Sequence, residues 1–187
     1  MKKNKSKKHK KVVFLIILLV TFLGFILSRE VVYKLLYPKK YSEYVYKYSE
    51  EYSVDADLVF AIIKAESNFV SDAKSSQNAI GLMQMLDSTA EEVANKLKMN
   101  YNSEETLLNP EYNIRMGTKY FSQLYDLYGN IELALCAYNA GIGNVNSWIE
   151  KGLIKADGSD LENIPISETN IYVRKVLKNY RIYKEFY

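Results

Sequence analysis

Val12 to Ser28 contains no charged residue and directly follows a lysine-rich stretch, Met1–Lys11. At ~1.5 Å per helical residue this run reaches about 25 Å, close to the ~30 Å hydrocarbon core of a bilayer. Lys11 and Arg29 at its two ends can snorkel to the interfaces. The competing reading, a cleaved signal peptide, needs a small-x-small cleavage site. The run ends instead in Phe25-Ile26-Leu27-Ser28-Arg29-Glu30, with no such site and no following cysteine for lipidation. The expectation is an uncleaved transmembrane signal anchor over 12–28, with 1–11 as a cytoplasmic basic tail and the rest of the chain on the outer side of the cell membrane. Residues 29–40, punctuated by Pro38, are expected to be a tether. Residues 41–187 are left for a single globular domain.

The charge is distributed accordingly. Seven of the 25 basic residues lie in 1–11 and Arg29 follows, so the remaining 17 face all 22 acidic residues. The domain is therefore acidic overall, and the basic pI argues for a topology signal rather than nucleic-acid binding. His9 is the only histidine and Cys136 the only cysteine. The domain thus has no imidazole base, no serine–histidine or cysteine–histidine pair, no usual zinc site and no intrachain disulfide. Leu133-Ala134-Leu135-Cys136-Ala137 places the thiol as a buried small hydrophobe. Chemistry is left to carboxylates, tyrosines and amides, and neither a metal nor a cofactor is expected.

Helix signals dominate after residue 40. Tyr41–Tyr52 reads as a first helix, and Asp55 caps a second that runs to about Ser67. Val70–Ile80, rich in Ser, Asn, Asp and Gln, reads as irregular with room for a small hairpin. Ser88-Thr89-Ala90-Glu91 has the pattern of a capping box opening a helix to about Leu97. Asn109-Pro110 supplies a cap and an N1 proline to a long helix stopping at Gly129. Asn130 caps an apolar helix to about Asn139. Gly141-Ile142-Gly143 reads as a turn before a short helix, Val145–Glu150, whose Trp148 suits the core more than a sugar platform. A polar loop, Lys151–Ile164, precedes a last helix capped by Ser167. No strong strand pattern appears, so the fold class is mostly α.

Within this frame one residue is out of place. Val59, Ile62, Ile63 and Glu66 share a helical face at i, i+3, i+4 and i+7. A carboxylate continuing an apolar stripe costs free energy unless it has a partner or a task, and its natural response is a raised pKa, suited to a proton donor. Further along stand Gly81-Leu82-Met83-Gln84, Ala137-Tyr138-Asn139-Ala140-Gly141 and Glu168-Thr169-x-x-Tyr172-Val173.

These motifs, in this order and with this separation between Glu66 and Gly81, resemble the catalytic domain of the soluble-lytic-transglycosylase family, a relative of the goose-type lysozyme fold in the α+β lysozyme-like superfamily. The resemblance spans about Ser53 to Tyr180. It implies cleavage of the β-1,4 bond between N-acetylmuramic acid and N-acetylglucosamine in peptidoglycan, with a 1,6-anhydromuramyl end as product. It makes Glu66 the catalytic acid and base, and Ser75, Gln84, Tyr138, Asn139, Glu168 and Tyr172 the substrate-contacting positions. It also implies peptidoglycan strands as the substrate and leaves cell-envelope machinery as a further partner. The chain departs from the family pattern at Asn78, where glycine is frequent, and at Leu86-Asp87, where methionine-proline is frequent. Asparagine tolerates a left-handed backbone, so the turn at Asn78 is expected to survive.

Ordinary glycosidases need two carboxylates. One suffices here if the muramyl C6 hydroxyl attacks C1 of its own ring. Two alternatives belong to other classes: a goose-type muramidase, which would need a carboxylate to orient water, and a silent wall-binding scaffold. Each site residue also has a plainer reading. Leu82 and Met83 suit a core, Tyr138 and Asn139 a helix end, Glu168 a dipole partner in a first turn.

Overall fold

The computed structural model describes residues 2–187, without the side chains of 2–12, 26 and 27. Met1 and the side chains of the basic tail expected over 1–11 therefore lie outside what is described. The chain forms two compact units that part between Pro38 and Lys39.

The first unit is one helix, α1 (Lys2–Leu36). Neither glycine nor proline interrupts 29–36, and helix also occupies these residues, where a tether was expected. It stops where Pro38 disfavours the α conformation for Tyr37. Val13–Leu36, 24 residues, is long and apolar enough to cross a membrane, and none of it is buried within the protein. Its large side chains from Val13 to Phe25 are 50–66% exposed on every face. A helix that is apolar all round needs an apolar surround.

The second unit is helical: α2 (Ser42–Glu51), α3 (Ala56–Glu66), α4 (Asp87–Lys96), α5 (Ser103–Leu108), α6 (Pro110–Tyr128), α7 (Ile131–Ala140), α8 (Ile142–Glu150) and α9 (Ser167–Phe186), with a 3-10 turn at Leu161–Asn163. Among the described residues, strand-like pairing is limited to two isolated bridges, Lys74 with Ile80 and Ile80 with Met85. The mostly α fold expected from the sequence is the fold observed.

α3 is the buried axis. Asp55 caps it, accepting from the Asp57 N–H at 2.9 Å. Leu58 through Ile63 are each 2% exposed or less, so the apolar run is inside on every face. α6 is the second organiser. Asn109 accepts from the N–H groups of Glu111 and Tyr112 at its start, and its sides pack against α2, α4, α5 and α7. At Gly117 a Cβ would meet Met83 Sδ at 2.5 Å, so α6 and the Met83 segment approach to a distance only glycine permits.

Several local expectations are revised. The capping box at Ser88 does not form, because α4 begins at Asp87 and its cap position is Leu86. The paired backbone of Ile80 and Met85 closes a turn over 81–84, Leu86 is extended, and helix starts immediately after. The Asp87 carboxylate accepts from Tyr101 and Ser103 hydroxyls instead. Ser167 is the first residue of α9 rather than its cap. The reversal before α8 is made by Gly141 alone, so Ile142 is already helical. α5 has only six residues, too few to show a period. Trp148 and Cys136 are in the core.

Candidate active site

Glu66 is the last residue of α3, where the buried axis reaches the surface. It is partly exposed, while Ala65 and Ser67 on either side are buried. Burial pushes its carboxyl up from 4.5 to about 7; Tyr172 and the Lys175 ammonium act the other way but more weakly. The Tyr172 hydroxyl is itself buried, near the carboxyl, but closes no hydrogen bond within 3.5 Å. Burial and then the Glu66 charge hold the hydroxyls of Tyr138 and Tyr172 well above their ordinary range. Both phenols are therefore neutral donors wherever Glu66 titrates.

The Gly81-Leu82-Met83-Gln84 segment is bound to the end of α3. Ser67 Oγ donates to the Leu82 carbonyl at 2.8 Å. That bond gives the separation between Glu66 and Gly81 a physical meaning. The segment between them must span out and return to this contact. Gly81 has φ 83, and a Cβ there would meet the Leu107 carbonyl oxygen at 2.5 Å and the Asn113 amide more closely still. Gln84 also has positive φ, 47. Its Nε2 donates to the carbonyls of Ala73 and Gly81 at 3.0 and 2.9 Å. With the amide nitrogen so held, Oε1 is the atom turned to other partners.

Tyr138 closes the other side. Its hydroxyl donates to the Met83 carbonyl at 2.7 Å, with Met85 Sδ at 3.5 Å. A groove of about 190 Å³ runs along Gln84, Met85, Leu86, Thr89, Tyr120, Tyr138 and the end of α7 from Asn139 to Gly141. Three of the expected site residues line it: Gln84, Tyr138 and Asn139. Glu66 and Tyr172 stand beside Tyr138, linked to it through their mutual electrostatics. Ser75 and Glu168 are not part of this groove. Ser75 Oγ accepts from the N–H groups of Gln77 and Ala79, which makes it a turn former. Asn78 within that turn has φ 64, the left-handed backbone that asparagine tolerates. Glu168 is exposed in the first turn of α9. A second depression of about 200 Å³, lined by Ser53, Val54, Asp55, Leu58, Phe121, Tyr125 and Ile131, lies at the opposite end of α3 and holds none of these residues.

The profile of the transglycosylase SLT domain matches residues 43–158. The chain belongs to this family. The soluble lytic murein transglycosylase of Salmonella typhimurium is 33% identical to this SLT protein over 153 residues, 80% of this chain and 24% of the relative. The membrane-bound lytic murein transglycosylase C of Edwardsiella ictaluri is 38% identical over 116 residues, 57% of this chain and 32% of the relative. The 70 kDa soluble lytic transglycosylase of Escherichia coli matches in structure with a TM-score of 0.74 at 31% identity, over 82% of this chain and 25% of that one. The SLT protein thus spans about a quarter of the length of its soluble relatives.

Some residues that build this SLT site carry no sequence signal of their own. Asn113 on α6 binds the backbone of Ile80 and Met83, yet in the sequence it is one polar position in an amphipathic helix. Thr169 is buried and donates to Asn139 Oδ1 at 2.7 Å, which leaves the Asn139 Nδ2 as the outward atom. Its place beside Glu168 in the motif hinted at it, but not at this partner.

Proposed function

We propose that this chain is a peptidoglycan lytic transglycosylase that cleaves the β-1,4 bond between N-acetylmuramic acid and N-acetylglucosamine. One observation carries the reading. Glu66 has its carboxyl raised to about 7, and the groups acting on it are a phenol and an ammonium, with no second carboxylate among them. Such a group is an acid and a base in turn at neutral pH. Protonated Glu66 gives its proton to the glycosidic oxygen as the bond from muramyl C1 breaks. The carboxylate then takes the proton of the muramyl C6 hydroxyl as that oxygen bonds to C1. One bond is lost and one formed, Glu66 regains its proton, and no water enters.

The neighbours have matching tasks. Neutral Tyr172 can donate to Glu66 when it is ionised. Gln84 Oε1 can accept from a sugar acetamido N–H, and Asn139 Nδ2 can donate to an acetamido carbonyl. Ser75 and Glu168 would contact the glycan farther out, as the family resemblance implies. Val13–Leu36 would anchor the domain as a single pass. The lysines of 1–11 favour a cytoplasmic N-terminus and an extracytoplasmic catalytic domain. A relative named as membrane-bound supports membrane association.

The test is digestion of purified cell wall by the wild type and Glu66→Gln, with the muropeptides read by mass spectrometry. Products lighter by one water than hydrolytic ones, and their loss in Glu66→Gln, are the expected result. Reducing ends would instead mean a muramidase. Wild-type turnover by Glu66→Gln would remove Glu66 from the mechanism.

A further inference from the structure

Two side chains of α9 reach the backbone of α3 at a matching interval. Asn179 Nδ2 donates to the Ala61 carbonyl at 3.4 Å, and Lys175 Nζ donates to the Ala65 carbonyl at 2.6 Å. The donors and the acceptors are each one helical turn apart, in opposite chain directions, so the two helices are held in an antiparallel register. The Ala65 carbonyl is among the last of α3, which have no partner within the helix. A cation is favoured at that negative end. This carbonyl belongs to the peptide group that joins Ala65 to Glu66.

We infer that Lys175 is a positioning residue for Glu66, fixing the peptide that carries it and placing a positive charge beside its carboxyl. The inference rests on the reading of Glu66 as the acid and base of the reaction. The groups coupled to the carboxyl come from two elements: α9 contributes Tyr172 and Lys175, and α7 contributes Tyr138. Lys64 of α3 feels Lys175 and donates to Asn68 at 2.6 Å. The two phenols stay neutral, so Lys175 is the ionised group that acts on Glu66 from α9. Its charge favours the carboxylate and opposes burial. That balance matters because Glu66 must release a proton early and accept one late. Without Lys175, burial acts with less opposition, and the acid keeps its proton to higher pH.

The experiment uses the full chain in detergent micelles and purified cell wall. Initial rates are measured from pH 5 to 9 for the wild type, K175M, K175Q and K175R, with E66Q as control. K175M should move the alkaline limb of the rate profile up by about 0.5 to 1 pH unit, with kcat lowered more than KM is changed. K175R should restore the wild-type limb. K175Q keeps a donor without the charge, so it should show the shifted limb even if K175M folds poorly. An alkaline limb left at the wild-type position in both neutral variants overturns the inference. An active E66Q overturns the underlying reading instead, so the two failures are distinct.

Discussion

Asn113 on α6 accepts a hydrogen bond from the Met83 N–H at 2.8 Å and donates to the carbonyls of Ile80 and Leu107, at 2.9 Å each. One wholly buried side chain thus binds two backbone groups of the segment that presents Gln84 and one of α5. Asn113→Leu keeps the size and leaves the Met83 N–H and the Leu107 carbonyl without this partner, while the Ile80 carbonyl keeps its bond from the Met85 N–H at 3.0 Å. The expected cost is roughly 2 kcal/mol or more, at ~1–3 kcal/mol for each of the two stranded groups less what relaxation recovers. A denaturant midpoint equal to the wild type would show that the segment is held by something else.

Gly81 is the complement of Asn113. Its left-handed φ of 83 and the crowding against Leu107 and Asn113 leave no room for a Cβ. Gly81→Ala should cost at least about 2 kcal/mol from strain and displacement together, and wall lysis should fall with it. Gly143→Ala is the contrasting substitution, since nothing lies within 4 Å of a Cβ there. In the first turn of α8 it should be neutral or slightly stabilising. Equal thermal shifts for the two variants would contradict this account.

Tyr138→Phe removes the donor to the Met83 carbonyl and the phenol that neighbours Glu66. The stability loss should be about 1 kcal/mol, as for one hydrogen bond. The loss of lytic rate should exceed what that small destabilisation explains. Comparing unfolding midpoints with rates on cell wall at a temperature where both proteins are folded separates the two effects.

The raised pKa of Glu66 links folding to pH. The folded chain binds this proton more tightly than the unfolded chain, at about 7 against 4.5. The contribution to stability is complete below the lower value and is lost as pH rises through the higher one, a decline of roughly 3 kcal/mol. Glu66→Gln stays neutral and lacks the decline. Its stability should therefore match the wild type near pH 5 and exceed it at pH 8. Unfolding curves at both pH values decide this, and a constant offset would mean an ordinary carboxyl.

The sequence alone determined the parts of this protein that depend on neighbours within a turn or two. Asp55, Asn109 and Asn130 cap helices because a cap bonds residues two or three positions on. The stripe of Val59, Ile62, Ile63 and Glu66 is visible because helical faces repeat within the same short distance. The span of the apolar N-terminal helix follows equally from composition and length, save that helix continues to Leu36. The failures were also local in origin: Ser88 has the residues of a capping box, but the Ile80–Met85 pairing decides where α4 begins.

Only the tertiary structure decided what surrounds Glu66. The bonds from Met83 to Asn113, from Thr169 to Asn139 and from Lys175 to Ala65 join positions 30, 30 and 110 residues apart. No periodicity connects such positions, and a buried asparagine or a tethered lysine looks like any other polar residue along a helix. The pKa of Glu66 is of the same kind. Its rise comes from burial, and burial belongs to the packed whole rather than to the residues on either side.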